Sequence, residues 1–185
     1  LTNGAKVVDL CAAPGGKATA MASTGARVLA ADRHQRRLNL VRSNAEGLGL
    51  DLEVVVADAT QPPFRPASFD RVLVDAPCSG LGVLRRRADS RWRVTPDDVT
   101  ELADLQLSML IAALPLVASG GMLVYSVCTL TAAETTGVDE QFREATGAVP
   151  VGPPTAPWRV NGAGGLLLPQ DLDAEGMAVF CYTVT

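Results

Sequence analysis

The sequence predicts an α/β fold built on an open, mostly parallel sheet, and three observations lead there. Short apolar runs at Lys6 to Leu10, Arg27 to Asp32, Glu53 to Asp58 and Arg71 to Ala76 are separated by helical or loop segments, the alternation that βαβ units produce. The second, third and fourth runs each end in an acid, Asp32, Asp58 and Asp75. In open α/β sheets that rim, at the carboxyl ends of the strands, is where ligands bind. Between the first two runs lies a loop of small residues, Cys11, Ala12, Ala13, Pro14, Gly15, Gly16 and Lys17, which lets a ligand approach the backbone closely.

Composition bounds the rest. A chain of 185 residues, 48% of them hydrophobic, has enough apolar side chains to bury a core as one domain spanning residues 1–185. No apolar run approaches the roughly 18 to 20 residues of a membrane span, and Leu1 to Thr19 is no signal peptide because an aspartate and Pro-Gly-Gly interrupt it. A cytoplasmic protein without a membrane is the expectation. Cys11, Cys78, Cys128 and Cys181 make no CxxC pair, so neither zinc, nor another metal, nor a disulfide framework is signalled. The net charge of -4 argues against a self-sufficient nucleic-acid binder, but Arg85, Arg86, Arg87, Arg91 and Arg93 cluster around Trp92. That run is either a solvated face or a surface for phosphates, and Trp92 favours contact.

Along the chain, KVVDL at Lys6 to Leu10 reads as a strand, and the loop after it opens an alanine-rich helix to about Ser23. The loop is neither GxGxxG nor a P-loop, since Lys17 precedes an alanine, so NAD and ATP lose ground. A second helix is expected from Arg33 to about Leu48. Asp32 suits either a ribose or the cap of that helix, and Asp58 either an adenine amino group or the Thr60–Pro63 loop. The fourth strand breaks at Asp75-Ala76-Pro77-Cys78-Ser79-Gly80, a rim of polar groups where core packing has no use for them.

Thr95-Pro96-Asp97-Asp98 opens a further helix with a threonine cap, proline in the first turn and acids after it. Val99, Leu102, Leu105, Met109, Ala113 and Leu116 form its expected core stripe, and Ser119-Gly120-Gly121 its end. A fifth strand, Met122 to Val127, leads into Cys128. Thr131-Ala132-Ala133-Glu134 matches a capping box, so a helix is expected to start there and run to about Thr146. Cys128 would then lie just before a helix start, a setting that favours a thiolate. Residues 147–165 read as a surface connection, with closing strands at Leu166 to Leu168 and Ala178 to Val184.

Three of these stretches, DLCAAPGGK (Asp9 to Lys17), DAPCSG (Asp75 to Gly80) and YSVCT (Tyr125 to Thr129), closely resemble the RNA cytosine-5 methyltransferases of the Sun family. The bacterial 16S ribosomal RNA enzymes are the nearest resemblance. It runs from about Gly4 to Thr136 and more weakly beyond, where Asp173 to Met177 stands in place of the family's Asp-Gly-Phe-Phe-like stretch. The resemblance implies a Rossmann-like methyltransferase fold, a mostly parallel seven-stranded sheet with an antiparallel last strand and helices on both faces. It implies S-adenosylmethionine as cofactor, its methionine part wrapped by Cys11 to Lys17, its ribose held by Asp32 and its adenine by Asp58, with Asp75 between cofactor and base. Cys128 matches the family's nucleophile and Cys78 the cysteine that assists release. Asp75 is also the implied partner of the cytosine ring nitrogen.

The resemblance implies an RNA partner, ribosomal RNA first, with phosphate contacts from the arginine run. The chain is expected to be a catalytic fragment, its basic RNA-binding part lying elsewhere, which accounts for the acidic charge. A transfer-RNA cytosine-5 methyltransferase, a small-molecule methyltransferase and a non-catalytic RNA-interaction domain stay open as alternatives. Two thiols and an acid suit base methylation, because carbon 5 of cytosine becomes nucleophilic only after a thiolate adds to carbon 6, and a base must then remove a proton before the cysteine leaves.

Overall fold

A computed structural model of the chain describes residues 1–184. In order the elements are β1 (Lys6–Asp9), α1 (Gly16–Ala22), β2 (Arg27–Asp32), α2 (Gln35–Gly47), β3 (Glu53–Val56), β4 (Phe69–Asp75), α3 (Ser90–Arg93) and α4 (Pro96–Ala113). A 3-10 turn at Leu114–Leu116 follows, then β5 (Val117–Val127), α5 (Thr136–Thr146), β6 (Val149–Pro150), β7 (Arg159–Asn161), β8 (Gly164–Leu167), α6 (Pro169–Leu172) and β9 (Met177–Thr183). The strand order is β3-β2-β1-β4-β5-β9-β8-β7, with β6 on β9. The β2–β3, β1–β2 and β1–β4 pairs are parallel, and the β6–β9, β7–β8 and β8–β9 pairs antiparallel. The sheet has nine strands where seven were expected. The added ones include β6 and β7, two and three residues long inside the proline-rich stretch read as a connection, too short to leave a periodic signal.

Two compact units divide the chain. The first comprises residues 1–75, 112–123 and 184–185, the second residues 76–111 and 124–183. In the first, α1 and α2 cover β2 and β3 through Ala18, Ala22, Val28, Ala30, Leu38 and Val41, all buried. Strand β5 begins at Val117, five residues earlier than expected, and absorbs the glycines read as a helix end. There the Gly120 N–H donates to Val184 at 2.8 Å, and a Cβ on Gly121 would stand 2.9 Å from the Asp70 carbonyl. Glycine at 121 serves close backbone approach, and Gly120 supplies a φ of +74° in the left-handed region.

In the second unit the core is aromatic. Tyr125 stacks on Phe180 with centroids 5.9 Å apart, and Phe142 meets Tyr182 edge-on at 4.8 Å. Asp139 of α5, fully buried, accepts the Tyr182 hydroxyl proton at 2.8 Å and a forked Arg143 guanidinium at 3.0 to 3.2 Å. The buried face of α4 is Ala103, Gln106, Met109, Leu110 and Ala113, rotated from the expected stripe, which omitted the glutamine. Contrary to the expectation from run lengths, Pro96–Leu116 is long and apolar enough by length and composition to cross a membrane. Its buried glutamine donates to the Pro77 carbonyl at 2.9 Å, and its first turn carries Asp97 and Asp98, features of a core helix.

Replacing Tyr182 with Phe keeps the ring contact and leaves Asp139 one donor short. Urea unfolding should register a loss of about 1 to 2 kcal/mol, and an unchanged midpoint would mean that Arg143 alone satisfies the carboxylate.

Candidate functional site

The Cys11 to Lys17 loop of the first unit is held from outside by α2. Arg37 Nη2 donates to the Ala13 carbonyl at 2.7 Å, and Asn44 Nδ2 to the Pro14 carbonyl at 2.9 Å. Gly15 has φ +116°, and a Cβ there would lie 3.2 Å from the Val41 Cα, so both backbone conformation and proximity to α2 require glycine. Thr19 returns its hydroxyl to the Gly15 carbonyl at 2.9 Å. Lys17 Nζ contacts Asp75 Oδ2 at 2.8 Å. Asp32 is 3% exposed; its Oδ1 accepts the His34 N–H at 2.9 Å, while Oδ2 lies 3.6 Å from Arg37. The N-cap of α2 is His34, without a side-chain cap bond, so Asp32 is not the helix cap that was one of its two expected readings; it holds the His34 N–H instead, and its other oxygen faces a guanidinium.

Asp58 differs. It lies beyond the end of β3, exposed, with Oδ1 accepting from the Thr60 N–H at 2.9 Å and the Thr60 hydroxyl at 2.7 Å. Those two bonds hold its carboxyl below the usual range and make it the loop cap that was one of its two expected readings.

Asp9 was not anticipated as a site residue because the first strand was read through to Leu10. The strand ends at Asp9, so the acid-at-strand-end pattern holds for β1 as well. Asp9 is 1% exposed, accepts the Cys11 N–H at 3.2 Å through Oδ1, and among the described residues has no hydrogen-bond partner for Oδ2. Burial, then repulsion from Asp75, pushes its carboxyl up to about 7. Burial followed by repulsion from Asp9 also raises the Cys11 thiol, so this cysteine stays protonated.

In the second unit Cys78 and Cys128 come together, their sulfurs 3.2 Å apart. That is hydrogen-bonding range and well outside a sulfur–sulfur bond of about 2.05 Å. The hydrogen bond with Cys128, then burial, raises the Cys78 thiol strongly. The expected helix start at Thr131 is not there: α5 begins at Thr136, eight residues past Cys128, so this cysteine does not stand just before a helix start. Glu134, read as the glutamate of a capping box, turns inward instead. It is fully buried and accepts from Ser79 N at 2.8 Å, Ser79 Oγ at 2.5 Å, Gln106 Nε2 at 3.1 Å, Thr129 Oγ1 at 3.1 Å and Thr131 Oγ1 at 2.9 Å. A polar side chain inside the α4 stripe was the one signal for Gln106; Glu134 had none, because its motif has a local explanation. Gly82 donates its N–H to the Cys128 carbonyl at 3.0 Å, where a Cβ would stand 2.1 Å from the Gly176 carbonyl.

A cavity of about 540 Å³ is lined by Cys78, together with Ser79, Arg87, Arg93, Asp98 and Leu102 among others. The arginine run is not uniform. Arg85 pairs with Asp173, Arg86 with Glu175, and Arg93 with Asp89 at 3.0 Å, whereas among the described residues Arg87 and Arg91 form no ion pair. Trp92 is 84% exposed.

The family described as 16S rRNA methyltransferase RsmB/F matches residues 1–157. The probable ribosomal RNA small subunit methyltransferase B of Synechocystis sp. is 45% identical over 142 residues, 74% of this chain and 32% of that protein. Its counterpart in Bacillus subtilis is 42% identical over 142 residues, with the same coverage. The chain spans about a third of the length of these curated relatives. The crystal structure of NSun6 from Pyrococcus horikoshii with SFG superposes with a TM-score of 0.83 at 28% identity, over 97% of this chain and 47% of that one.

The raised Asp9 carboxyl sets a pH dependence. Between about pH 4 and 7 the folded protein keeps a proton that the unfolded chain has released, so stability falls as pH rises through that window and levels off above it. Asp9→Asn keeps an acceptor for the Cys11 N–H and cannot ionise. Urea unfolding at pH 5 and pH 7.5 should show the wild-type difference shrinking by about 2 to 3 kcal/mol in the variant; parallel profiles would show that Asp9 does not titrate there.

Proposed function

Because the chain belongs to the 16S rRNA methyltransferase RsmB/F family, we propose that it transfers a methyl group from S-adenosylmethionine to carbon 5 of a cytosine in 16S ribosomal RNA through a covalent cysteine adduct. The observation that carries this reading is the Cys78–Cys128 pair, two thiols 3.2 Å apart, of which Cys78 lines a cavity of about 540 Å³, within the size range of small-molecule sites. Transfer to a small metabolite has no use for two such thiols.

The first unit suits the cofactor. Gly15 leaves no room for a side chain, Asp9 Oδ2 is a buried acceptor without a partner, and Asp32 Oδ2 faces only a distant guanidinium. On this reading Cys11 to Lys17 hold the methionine part, Asp32 the ribose and Asp58 the adenine, through the oxygen that Thr60 does not use. Bound there, S-adenosylmethionine supplies an electrophilic methyl group. Lys17 fixes one oxygen of Asp75, which serves the cytosine ring nitrogen and stands three residues before Cys78 in the chain.

The Cys128 thiolate forms a bond to carbon 6, and the electron pair of the 5,6 double bond moves to carbon 5, stabilised by a hydrogen bond at the ring nitrogen. Carbon 5 takes the methyl group, the broken methyl–sulfur bond leaving its pair on the cofactor's sulfur. A base then takes the carbon 5 proton, that carbon–hydrogen pair restores the double bond, and the sulfur–carbon bond breaks with its pair returning to Cys128. Cys78 is the thiol suited to assist this release. Its pKa is raised first by the hydrogen bond with Cys128, and that contribution ends once Cys128 is bonded to carbon. The target base must also leave its stack to reach the cavity. Arg87 and the exposed Trp92 supply phosphate and stacking contacts around it.

Incubated with 16S ribosomal RNA and cofactor, then run on a denaturing gel, Cys128→Ala should show neither methylation nor adduct. Cys78→Ala should accumulate protein covalently bound to RNA. The opposite pattern would reverse the two roles, and no adduct in either variant, with unmethylated RNA in the wild type, would sink the reading. Arg87→Ala should reduce the slope of log affinity for RNA against log salt by about one unit, more than Arg85→Ala, whose guanidinium is already paired with Asp173. Equal slopes in Arg87→Ala and wild type would return Arg87 to a solvated surface.

A further inference from the structure

Glu134 is a buried carboxylate that forms no ion pair among the described residues. Its five donors are one main-chain N–H, one side-chain amide and three hydroxyls, and burying such a group is strongly unfavourable unless donors surround it. Those donors are not scattered. Ser79 follows Cys78 in the chain, and Thr129 follows Cys128. The two hydroxyls also lie 2.8 Å apart, both within hydrogen-bonding distance of Glu134 Oε2. The glutamate's own carbonyl lies 2.6 Å from the Tyr125 hydroxyl, fixing its backbone to β5.

Resting on the reading that both thiols act on one base, we propose that Glu134 is a positioning residue whose carboxylate ties the loop after Cys78 to the loop after Cys128 and so sets the separation of the two sulfurs. A carboxylate accepts at both oxygens; a glutamine would keep one acceptor, for the Ser79 N–H and the Gln106 amide, and place N–H donors at the other position, so that the three hydroxyls there would have to turn and accept. The same negative charge contributes to keeping Cys78 protonated, which suits a thiol reserved for the release step. Neither Glu134 nor Thr129 touches the reacting atoms, so both act through the cysteines.

The sulfur separation can be read without RNA. Diamide oxidises the two thiols to a disulfide, taking up two electrons and two protons to become the hydrazine, at a rate that depends on how often the sulfurs meet. Mass spectrometry of the Cys78–Cys128 cross-linked peptide gives that rate, normalised to iodoacetamide alkylation of Cys78 in the same protein. Glu134→Gln and Thr129→Ala are expected to slow cross-linking about ten-fold or more and to lower kcat on 16S ribosomal RNA by about ten- to hundred-fold, the scale of a misplaced reacting group, with cofactor affinity unchanged. Thr129→Ser, which restores the hydroxyl, should recover both. If Glu134→Gln does not fold, the Thr129→Ala and Thr129→Ser pair decides. Cross-linking at the wild-type rate in folded Glu134→Gln or in Thr129→Ala overturns the proposal. Slowed cross-linking in a protein whose wild type leaves 16S ribosomal RNA unmethylated overturns the functional reading and keeps the positioning role.

Discussion

The second unit depends on how one carboxylate is kept inside it. Glu134 is fully buried and bonded only to neutral donors, so each donor must be present and aimed for the charge to be tolerated. Much of the local structure follows from that demand. Gln106 takes a place in the apolar face of α4. Thr129 and Thr131 turn their hydroxyls inward, and α5 starts at Thr136 because the segment before it wraps the glutamate instead of coiling. The loops that carry the two cysteines have little regular structure, yet they are tied at several points, including the Gly82 N–H on the Cys128 carbonyl.

The loop of the first unit is held by the same kind of device with the polarities exchanged. There the loop presents carbonyls, and α2 supplies the donors, Arg37 to Ala13 and Asn44 to Pro14. Glycine at position 15 lets the chain pass against Val41. In both units an irregular segment has its backbone groups satisfied by side chains from a neighbouring helix, which fixes its shape without extending a helix or strand into it. Asp9 is the exception. Its unpartnered oxygen and raised carboxyl mark a place where the fold tolerates an unfavourable group, and such places concentrate at functional sites.

Charge in the arginine run is decided by distant residues. Arg85 and Arg86 reach Asp173 and Glu175, about ninety residues along the chain, so they fasten the segment that follows Cys78 to the approach of β9. Exposed pairs of this kind add little stability. Their effect is to divide a run of five similar residues into paired ones and ones open to a polyanion.

Short apolar runs and the acids closing them were enough to place β1 to β4 and their rim, because β1, β2 and β4, buried in a parallel sheet, record their burial locally, while the edge strand β3, with no buried residue, keeps a run of three valines. The thiols at Cys78 and Cys128 were legible for a related reason: each interrupts a pattern that core packing would have continued. Tertiary structure alone decided the rest. Thr131 to Glu134 satisfies a local rule for a helix start, and that rule lost to donors lying as far as 55 residues away. Gly82 looks like any loop glycine until the Gly176 carbonyl occupies the space of its side chain. β6 and β7 exist only because neighbouring strands give them partners. A single sequence reports what each residue prefers near its neighbours in the chain. It carries no record of which distant donor will meet a buried charge, and the energy of that meeting is what chose the conformation around the two cysteines.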